Sequence, residues 1–294
     1  MPWPTIERCD GLSHIVLLTT GGTIASSRGS DGISRPGSAR FDIADKVVTR
    51  ELMSKDSSSF DFADMDAIVA AVFDALADPA CSGVVVLHGT DTMEETALLV
   101  DLFHGDPRPV VFTGAQRTAD HDAPDGPSNV AASLAAVSDP VNAGRGVLVA
   151  FGGKVLPARG LTKWHTSDLN AFLSSGEPRV VLPRKNIAGV RVDIVALYPG
   201  ADAVAIDAYV AAGTQGIVLE ATGSGNTNQQ IVAAVKSCGV PVVVTTRVPV
   251  GAIEPTYGGG GGGADLVDAG AVFSPLLRAG QARVLLAVQI ASRE

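Results

Sequence analysis

Short apolar runs alternate along the chain with longer segments that have the polarity pattern of helices. The segments GVVVL and PVVVT each contain a continuous apolar run, which is typical of parallel strands that are buried on both faces. This alternation predicts an α/β protein in which a mainly parallel sheet is flanked by helices. The predicted strands cover residues 14–19, 84–87, 109–113, 146–151, 191–197, 216–219 and 240–245, and the predicted helices cover 64–76, 93–103, 127–136, 201–211 and 228–237.

A change in composition divides the chain into two unequal parts. Residues 174–189 are richer in proline, glycine and charge than the segments on either side, which is typical of a linker. We therefore expect a larger N-terminal domain over residues 1–180, a linker over 181–190 and a smaller parallel α/β domain over 191–294. A run of six glycines at 258–263 is expected to form a flexible surface loop in the smaller domain.

Composition and charge narrow the class of protein. Of the 294 residues, 46% are hydrophobic and 18% are charged, a balance that excludes intrinsic disorder. The net charge of -9 argues against nucleic acid as a partner, because that binding relies on clustered lysine and arginine. No apolar stretch approaches the roughly 20 residues that cross a bilayer, and no signal peptide is recognised. The three cysteines lie far apart and are expected to be reduced thiols, so we predict a cytoplasmic protein.

Small hydroxyl residues follow two of the predicted strands. One strand runs into TTGGT, which leaves Thr23 after two glycines, and the other runs into HGTDT, which puts Thr90 and Asp91 before a helix. Ligands of parallel sheets bind beyond the carboxyl ends of the strands, so both corners are candidate sites. Thr92 and Glu95 have the spacing of a capping box at the start of that helix. The residues alone leave simpler interpretations open: a glycine turn for the first corner and helix capping by Asp91 for the second.

A hydroxyl nucleophile needs a group that accepts its proton, and a lysine can serve. Lys163, in ARGLTKWHT, is one candidate, although a lysine in such a polar segment is more often a surface residue. Lys154 lies in a predicted hairpin through Gly152 and Gly153, where we expect it to be solvated. The five histidines show no pair at the spacing of metal ligands, and no phosphate-binding glycine motif follows a strand. We therefore expect neither a metal nor a nucleotide cofactor.

Taken together, these segments resemble the bacterial-type L-asparaginase family. TGGTIAS at 20–26 resembles its first signature, and HGTDTMEETA at 88–97 resembles its second almost letter for letter. Further similar segments are TGAQRTADHDAPDGPSN at 113–129, RGVLVAFGGKVLPARGLTKWHTSDLNAF at 145–172, GSGN at 223–226 and QARVLL at 281–286. The likeness covers nearly the whole chain in the family's order.

This resemblance implies hydrolysis of the side-chain amide of L-asparagine to L-aspartate and ammonia, with no cofactor. By motif position, Thr23 would be the nucleophile that forms an acyl-enzyme. Thr90, Asp91 and Lys163 would form a second catalytic group, in which Asp91 also holds the α-ammonium of the substrate. The other implied substrate contacts are Ser58 and Ser59 for the α-carboxylate, the main chain at Gly22, Gly89, Thr90 and Ala115, and Asn226 from the neighbouring subunit. Family members form homotetramers as dimers of dimers.

The sequence departs from the family pattern at three places. The segment 26–45 contains no tyrosine, although the family's mobile loop usually carries one that contacts the nucleophile. The glycine run stands near the acidic residue that periplasmic members contribute from the partner chain, and Gln116 stands where methionine is usual. Tyr257, beside the glycine run, either takes over part of the missing tyrosine's role from an adjacent subunit or is an unremarkable loop residue.

The sequence is compatible with three functions. The leading one is an L-asparaginase, and its rivals are a broader glutaminase-asparaginase amidohydrolase and a catalytically weak member that binds amino acids. One methylene group changes discrimination by only about 1–3 kcal/mol, so the sequence does not rank asparagine and glutamine as substrates.

Overall fold

Two mainly parallel sheets, each with helices packed against it, form the framework of the part of the chain that the structure describes. The computed structural model describes residues 13–28, 34–36, 46–176 and 178–293. The strands are β1 His14–Thr19, β2 Ser26–Arg28, β3 Ser34–Pro36, β4 Val47–Glu51, β5 Cys81–Leu87, β6 Val110–Thr113, β7 Val147–Phe151, β8 Lys154–Pro157, β9 Leu161–Lys163, β10 Phe172–Ser174, β11 Val192–Ala196, β12 Gly216–Ala221, β13 Val242–Thr246 and β14 Val272–Phe273. The helices are α1 Phe62–Ala77, α2 Met93–Phe103, α3 Gly126–Ser138, α4 Val204–Ala211, α5 Gln229–Ser237, α6 Gly263–Asp268 and α7 Ala279–Ala291.

The larger sheet has the strand order β4-β1-β5-β6-β7-β8, and every strand in it is parallel to its neighbour except β8. Helices α1 and α2 cover one face and α3 covers the other. Within β5, Val84 and Val86 belong to the first of these cores, whereas Val85 and Leu87 belong to the second. Burial on both faces explains why this strand is apolar at consecutive positions.

The predicted elements are confirmed, with ends that differ by a few residues. The hairpin through Gly152 and Gly153 is confirmed as well: it joins β7 to β8, and Lys154 is exposed. Cys81 and Cys238 are free thiols, whereas Cys9 lies outside the described residues. Across the described ranges, no helix has both the length and the apolar character needed to cross a membrane.

The smaller sheet is parallel, in the order β11-β12-β13-β14, and α7 lies between this sheet and α2 of the larger part. The sequence pattern predicts no helix at α7. The reason is that its buried residues, which include Val284, Leu286 and Val288, surround most of the helix and leave no continuous polar face. Among the described residues, 175–190 contain no helix or strand, and a domain boundary there stays a prediction.

A buried ion pair ties this irregular segment to the larger part. Asp101 of α2 is 1% exposed, and its Oδ1 accepts hydrogen bonds from Arg179 Nε at 2.8 Å and from the main-chain N–H of Val147 at 2.9 Å. The guanidinium of Arg179 also donates to the carbonyl of His104. Arg179 is thus the side-chain cation that compensates a carboxylate buried against the end of the sheet.

Removing Arg179 should therefore destabilise the fold. Arg179→Met leaves the Asp101 carboxylate buried without its cation, and loss of one partner of a buried pair costs about 3–5 kcal/mol. Denaturant unfolding should show this as a lower free energy of unfolding. Arg191→Met is the matched control, since Arg191 pairs with Asp193 at the surface and its loss should change stability little. An unchanged unfolding midpoint in Arg179→Met would contradict the role given to this pair.

Candidate active site

The carboxyl ends of β1 and β5 meet at one edge of the larger sheet. Gly21 and Gly22 follow β1 with φ of 100° and 87°, a region that favours glycine. A Cβ at Gly22 would lie 2.7 Å from the Cα of Gly89, so the two main chains are in direct contact there. Thr23 is half-buried and begins a short 3₁₀ turn immediately after this contact. The fold therefore brings the two predicted corners together.

Lys163 reaches the same edge from β9, a strand that pairs with β10 and packs against α2. Its Nζ donates to the hydroxyl of Thr90 at 2.8 Å and to Asp91 Oδ1 at 2.9 Å. Thr90 is buried, and the side chain of Asp91 is mostly exposed. The amine thus lies between an alcohol and a carboxylate, an arrangement that can pass a proton between the alcohol and the amine.

Gln116 is a further partner of Thr90. Its Oε1 accepts from the Thr90 hydroxyl at 3.5 Å, and its Nε2 donates to the carbonyls of His165 and Asp168 at 3.4 and 3.2 Å. A methionine at this position could not donate these hydrogen bonds. Gln116 therefore connects Thr90 to the segment that follows Lys163.

Ser57, rather than the predicted Ser58 or Ser59, packs against the second corner. Ser57 is 3% exposed, and a Cβ at Gly89 would lie 2.5 Å from its Oγ. Ser58 and Ser59 are exposed, and the Ser59 hydroxyl donates to the carbonyl of Asp56 at 2.7 Å. No local feature of the run of three serines distinguishes Ser57, so the sequence does not indicate which of them faces inward. The 3₁₀ turn over Ser57–Ser59 decides which serine faces inward.

The predicted capping box at Thr92 and Glu95 is wrong. Helix α2 does begin at Met93, but the Thr92 hydroxyl donates to the carbonyl of Ser57 at 2.9 Å instead of capping its own helix. The side chain of Glu95 lies against Gly280 of α7. Thr92 thus joins the start of α2 to the serine turn beside the site.

His88, directly before Gly89, is fully buried and neutral at physiological pH. Burial lowers its pKa to about 4. Nδ1 lies 2.7 Å from the carbonyl of Gly89, which can only accept, so Nε2 accepts in turn from the Thr96 hydroxyl at 3.0 Å. The ring packs edge-on against Phe60 with centroids 5.1 Å apart. We interpret His88 as a support for the peptide between Gly89 and Thr90.

Two consecutive glutamates at the start of α2 have raised pKa values. Burial, followed by repulsion from Glu95, raises the pKa of Glu94 to about 8, although Lys163 opposes the shift. Burial raises the pKa of Glu95 to about 7, against the attraction of Arg283. Both values lie well above the ordinary 4.5 of a glutamate, so each carboxyl carries its proton for much of the time at neutral pH.

The raised pKa of Glu95 predicts a pH-dependent contribution to stability. The folded chain keeps this proton up to about pH 7, whereas the unfolded chain releases it near pH 4.5. The contribution is therefore complete below about pH 4.5 and is lost as the pH rises through about 7. Glu95→Gln cannot ionise, so its melting temperature relative to wild type should be higher at pH 8 than at pH 5, by roughly a few degrees. Melting curves showing the same offset at both pH values would contradict this prediction.

Asn226, predicted to act in a neighbouring subunit, lies in a turn of the smaller part. Its Oδ1 accepts from the main-chain N–H of Gly263 at 3.2 Å, and its own main chain pairs with Thr222. The structure does not bring it together with Thr90 and Lys163 through any hydrogen bond in the described part of one chain. Its role at a shared site stays a prediction, as does that of Tyr257, which is 60% exposed.

The glycine run is half exposed and half packed. Asp265 Oδ2 accepts from the main-chain N–H groups of Gly260 and Gly262 at 2.9 and 2.8 Å, and these bonds, first that of Gly262, lower the pKa of Asp265. A Cβ at Gly261 would lie 2.7 Å from the carbonyl oxygen of Thr227. The second half of the run is therefore a packed helix entry, and not the flexible loop predicted from composition.

A cavity of about 320 Å³ opens beside the amine, a size that suits a small molecule. Its lining residues are Asp91, Glu94, Lys163, Trp164, His165 and Thr166. Most of the segment 26–45, in which the missing tyrosine was noted, lies outside the described residues. Within the ranges that are described, no three histidine, cysteine or acidic side chains gather as a metal-ligand set.

The chain is similar to known proteins over nearly its whole length. The family model "Asparaginase, N-terminal" matches residues 14–193, and "Glutaminase/Asparaginase C-terminal domain" matches residues 191–294. A probable L-asparaginase of Deinococcus radiodurans is 35% identical over 96% of this chain and 95% of its own, and an L-asparaginase of Bacillus licheniformis is 31% identical over 95% of each. The crystal structure of a probable cytoplasmic L-asparaginase from Campylobacter jejuni has a TM-score of 0.79 at 28% identity and covers 95% of this chain and 98% of that one. This chain belongs to the asparaginase family.

Proposed function

We propose that this chain hydrolyses the side-chain amide of L-asparagine to L-aspartate and ammonia, with Thr23 as the nucleophile. Membership of the family makes the chain an amidohydrolase, and the similar L-asparaginases support asparagine as its substrate. The observation that carries the proposal is the pair of hydrogen bonds from the Lys163 amine to Thr90 and Asp91. These two residues directly follow Gly89, whose main chain is in contact with that of Gly22.

The proposed chemistry has two steps. The hydroxyl oxygen of Thr23 adds to the amide carbon and ammonia leaves with the proton of the hydroxyl, so that an ester to Thr23 forms. Water then adds to the ester carbon, the bond between that carbon and the Thr23 oxygen breaks, and this oxygen takes a proton from the water as aspartate is released. An uncharged Lys163 amine can accept the Thr90 proton across the 2.8 Å contact, and the Thr90 oxygen can then take the proton of the attacking hydroxyl or water.

The surrounding groups suit an amino-acid substrate. Asp91 supplies a negative charge for the α-ammonium. The serine turn beside Gly89 supplies hydroxyl groups for the α-carboxylate, and we add the buried Ser57 to the predicted Ser58 and Ser59. Rigid main-chain N–H groups suit the developing negative charge on the amide oxygen. Gly22, Gly89 and Ala115 remain the proposed sources of these contacts.

Ammonia release from L-asparagine and L-glutamine, measured side by side on the purified chain, tests the proposal. We expect turnover of asparagine, and the rate on glutamine decides between the two amidohydrolase hypotheses. Comparable rates on both amides would favour the broader glutaminase-asparaginase. Tight aspartate binding with turnover of neither amide would refute the enzymatic proposal and favour a binding protein.

We further propose that the active form is a cytoplasmic homo-oligomer, a tetramer built as a dimer of dimers, whose sites are shared between two chains. The resemblance to the family implies this assembly, and the exposed apolar side chains of Val248, Val250 and Tyr257 after β13 would be available for such a contact. The free thiols of Cys81 and Cys238 support a reducing compartment. Sedimentation at assay concentrations tests the assembly, and a fully active monomer would contradict it.

A further inference from the structure

Glu94 contacts the main chain of Lys163, while the side chain of the same lysine contacts Thr90. The carboxyl of Glu94 accepts a short hydrogen bond from the main-chain N–H of Lys163. Strand β9, which carries Lys163, has three residues and pairs with an equally short strand, so strand pairing alone holds it weakly. A displacement of this main chain would move the amine relative to the Thr90 hydroxyl.

Gln281 of α7 forms hydrogen bonds both to Glu94 and to the turn that precedes β9. Its side chain is fully buried. Nε2 donates to the carbonyls of Glu94 at 2.9 Å and of Ala158 at 2.7 Å, and Oε1 accepts from the main-chain N–H of Gly160 at 2.8 Å. One residue of the C-terminal helix therefore anchors both the first turn of α2 and the turn between β8 and β9.

Burial favours the protonated form of Glu94 near neutral pH, and the neighbouring charges act in opposite directions. Glu95 follows it in the same turn, Lys163 approaches from β9, and Arg283 of α7 acts on Glu95. Burial outweighs the lysine and raises the pKa of Glu94 to about 8. A protonated carboxyl keeps one carbonyl oxygen that can accept the Lys163 N–H, and in this respect it resembles the amide of glutamine.

We propose that Glu94 is a positioning residue for Lys163. By accepting the main-chain hydrogen bond, Glu94 keeps the amine at the distance from Thr90 that proton transfer requires, because small misplacements of a reacting group cost much of the rate. This inference rests on the proposed function of Lys163.

Three variants separate positioning from a general structural role. Glu94→Leu removes the acceptor at similar bulk, and kcat for L-asparagine should fall about 10-fold or more with KM changed less than about twofold. Glu94→Gln keeps an acceptor and should restore kcat to within about threefold of wild type. Glu95→Gln is the matched control in the same helical turn, since no hydrogen bond joins Glu95 to Lys163 among the described residues, and it should leave kcat unchanged. Assays well below each melting temperature keep stability out of the comparison.

Three results with the single variants would overturn the proposal. The first is a wild-type kcat in Glu94→Leu. The second is an equal loss in Glu94→Leu and Glu94→Gln, which would assign the effect to charge instead of the hydrogen bond. The third is an equal loss in Glu95→Gln, which would assign it to the helix start as a whole.

Lys163→Met distinguishes a failure of this inference from a failure of the proposed function. Without an amine there is nothing to position, so adding Glu94→Leu to Lys163→Met should lower kcat no further. A wild-type rate in Lys163→Met alone would refute the role of the lysine. A slow Lys163→Met beside a fully active Glu94→Leu would refute the positioning role alone, and a further fall in the double variant would also overturn it.

Discussion

Thr23→Val should lower kcat for L-asparagine by about 10³-fold or more, because loss of a nucleophile removes the covalent route entirely. Valine has the shape of threonine and lacks only the hydroxyl, so the half-buried position should accept it without unfolding. Ammonia release at saturating asparagine measures the loss. Hydroxylamine provides a second readout: wild type should transfer the aspartyl group from the ester to hydroxylamine, and the variant should not.

Thr20→Val is the matched control for this experiment. Thr20 lies three residues earlier in the same TTGGT segment, and its hydroxyl donates to the carbonyl of Leu87 at 2.9 Å, so it serves the junction of β1 and β5. Its loss should lower the melting temperature while kcat stays within a few-fold of wild type. Wild-type turnover by Thr23→Val would end the assignment of Thr23 as the nucleophile.

Lys163→Met and Thr90→Val should each lower kcat by roughly 10²-fold or more, since each removes one member of a positioned proton-transfer pair. The 2.8 Å contact between the amine and the hydroxyl means that the two groups act as one unit. Their effects should therefore not add, and the double variant should be little slower than the worse single variant. Steady-state kinetics of the three variants on L-asparagine measures this.

Lys154→Met is the control for the lysine. Lys154 begins β8, is exposed and should be replaceable without effect on kcat or melting temperature. Lys163→Met should also unfold at nearly the wild-type temperature, because its ion pair with Asp91 lies partly in solvent, where such pairs contribute little. Normal turnover in both Lys163→Met and Thr90→Val would remove the second catalytic group from the proposal.

Local pattern was sufficient for most of the secondary structure. Consecutive apolar positions predict buried parallel strands because both faces of the larger sheet are covered, as Val85 and Val86 illustrate by packing into different cores. The same reasoning fails for α7, which is enclosed by α2 on one side and the smaller sheet on the other. A helix that is buried on all sides has no polar face, so its sequence does not show the 3.6-residue alternation of apolar and polar positions that predicts a helix.

The order of the apolar runs was enough to predict an α/β chain, because strand periodicity is a short-range property. The proposal of Thr23, Thr90 and Lys163 as its chemical centre came from the resemblance of their motifs to the asparaginase family, since the residues alone left simpler interpretations open. Three contacts depend on the tertiary structure alone. Ser57 faces Gly89, whereas its two neighbouring serines are exposed. The Thr92 hydroxyl donates to the carbonyl of Ser57, and the Glu94 carboxyl accepts from the main-chain N–H of Lys163. These contacts join residues far apart in sequence, 69 positions for Glu94 with Lys163 and 187 for Gln281 with Glu94. Such pairs exist only after the sheets and helices have packed, so no local pattern records them.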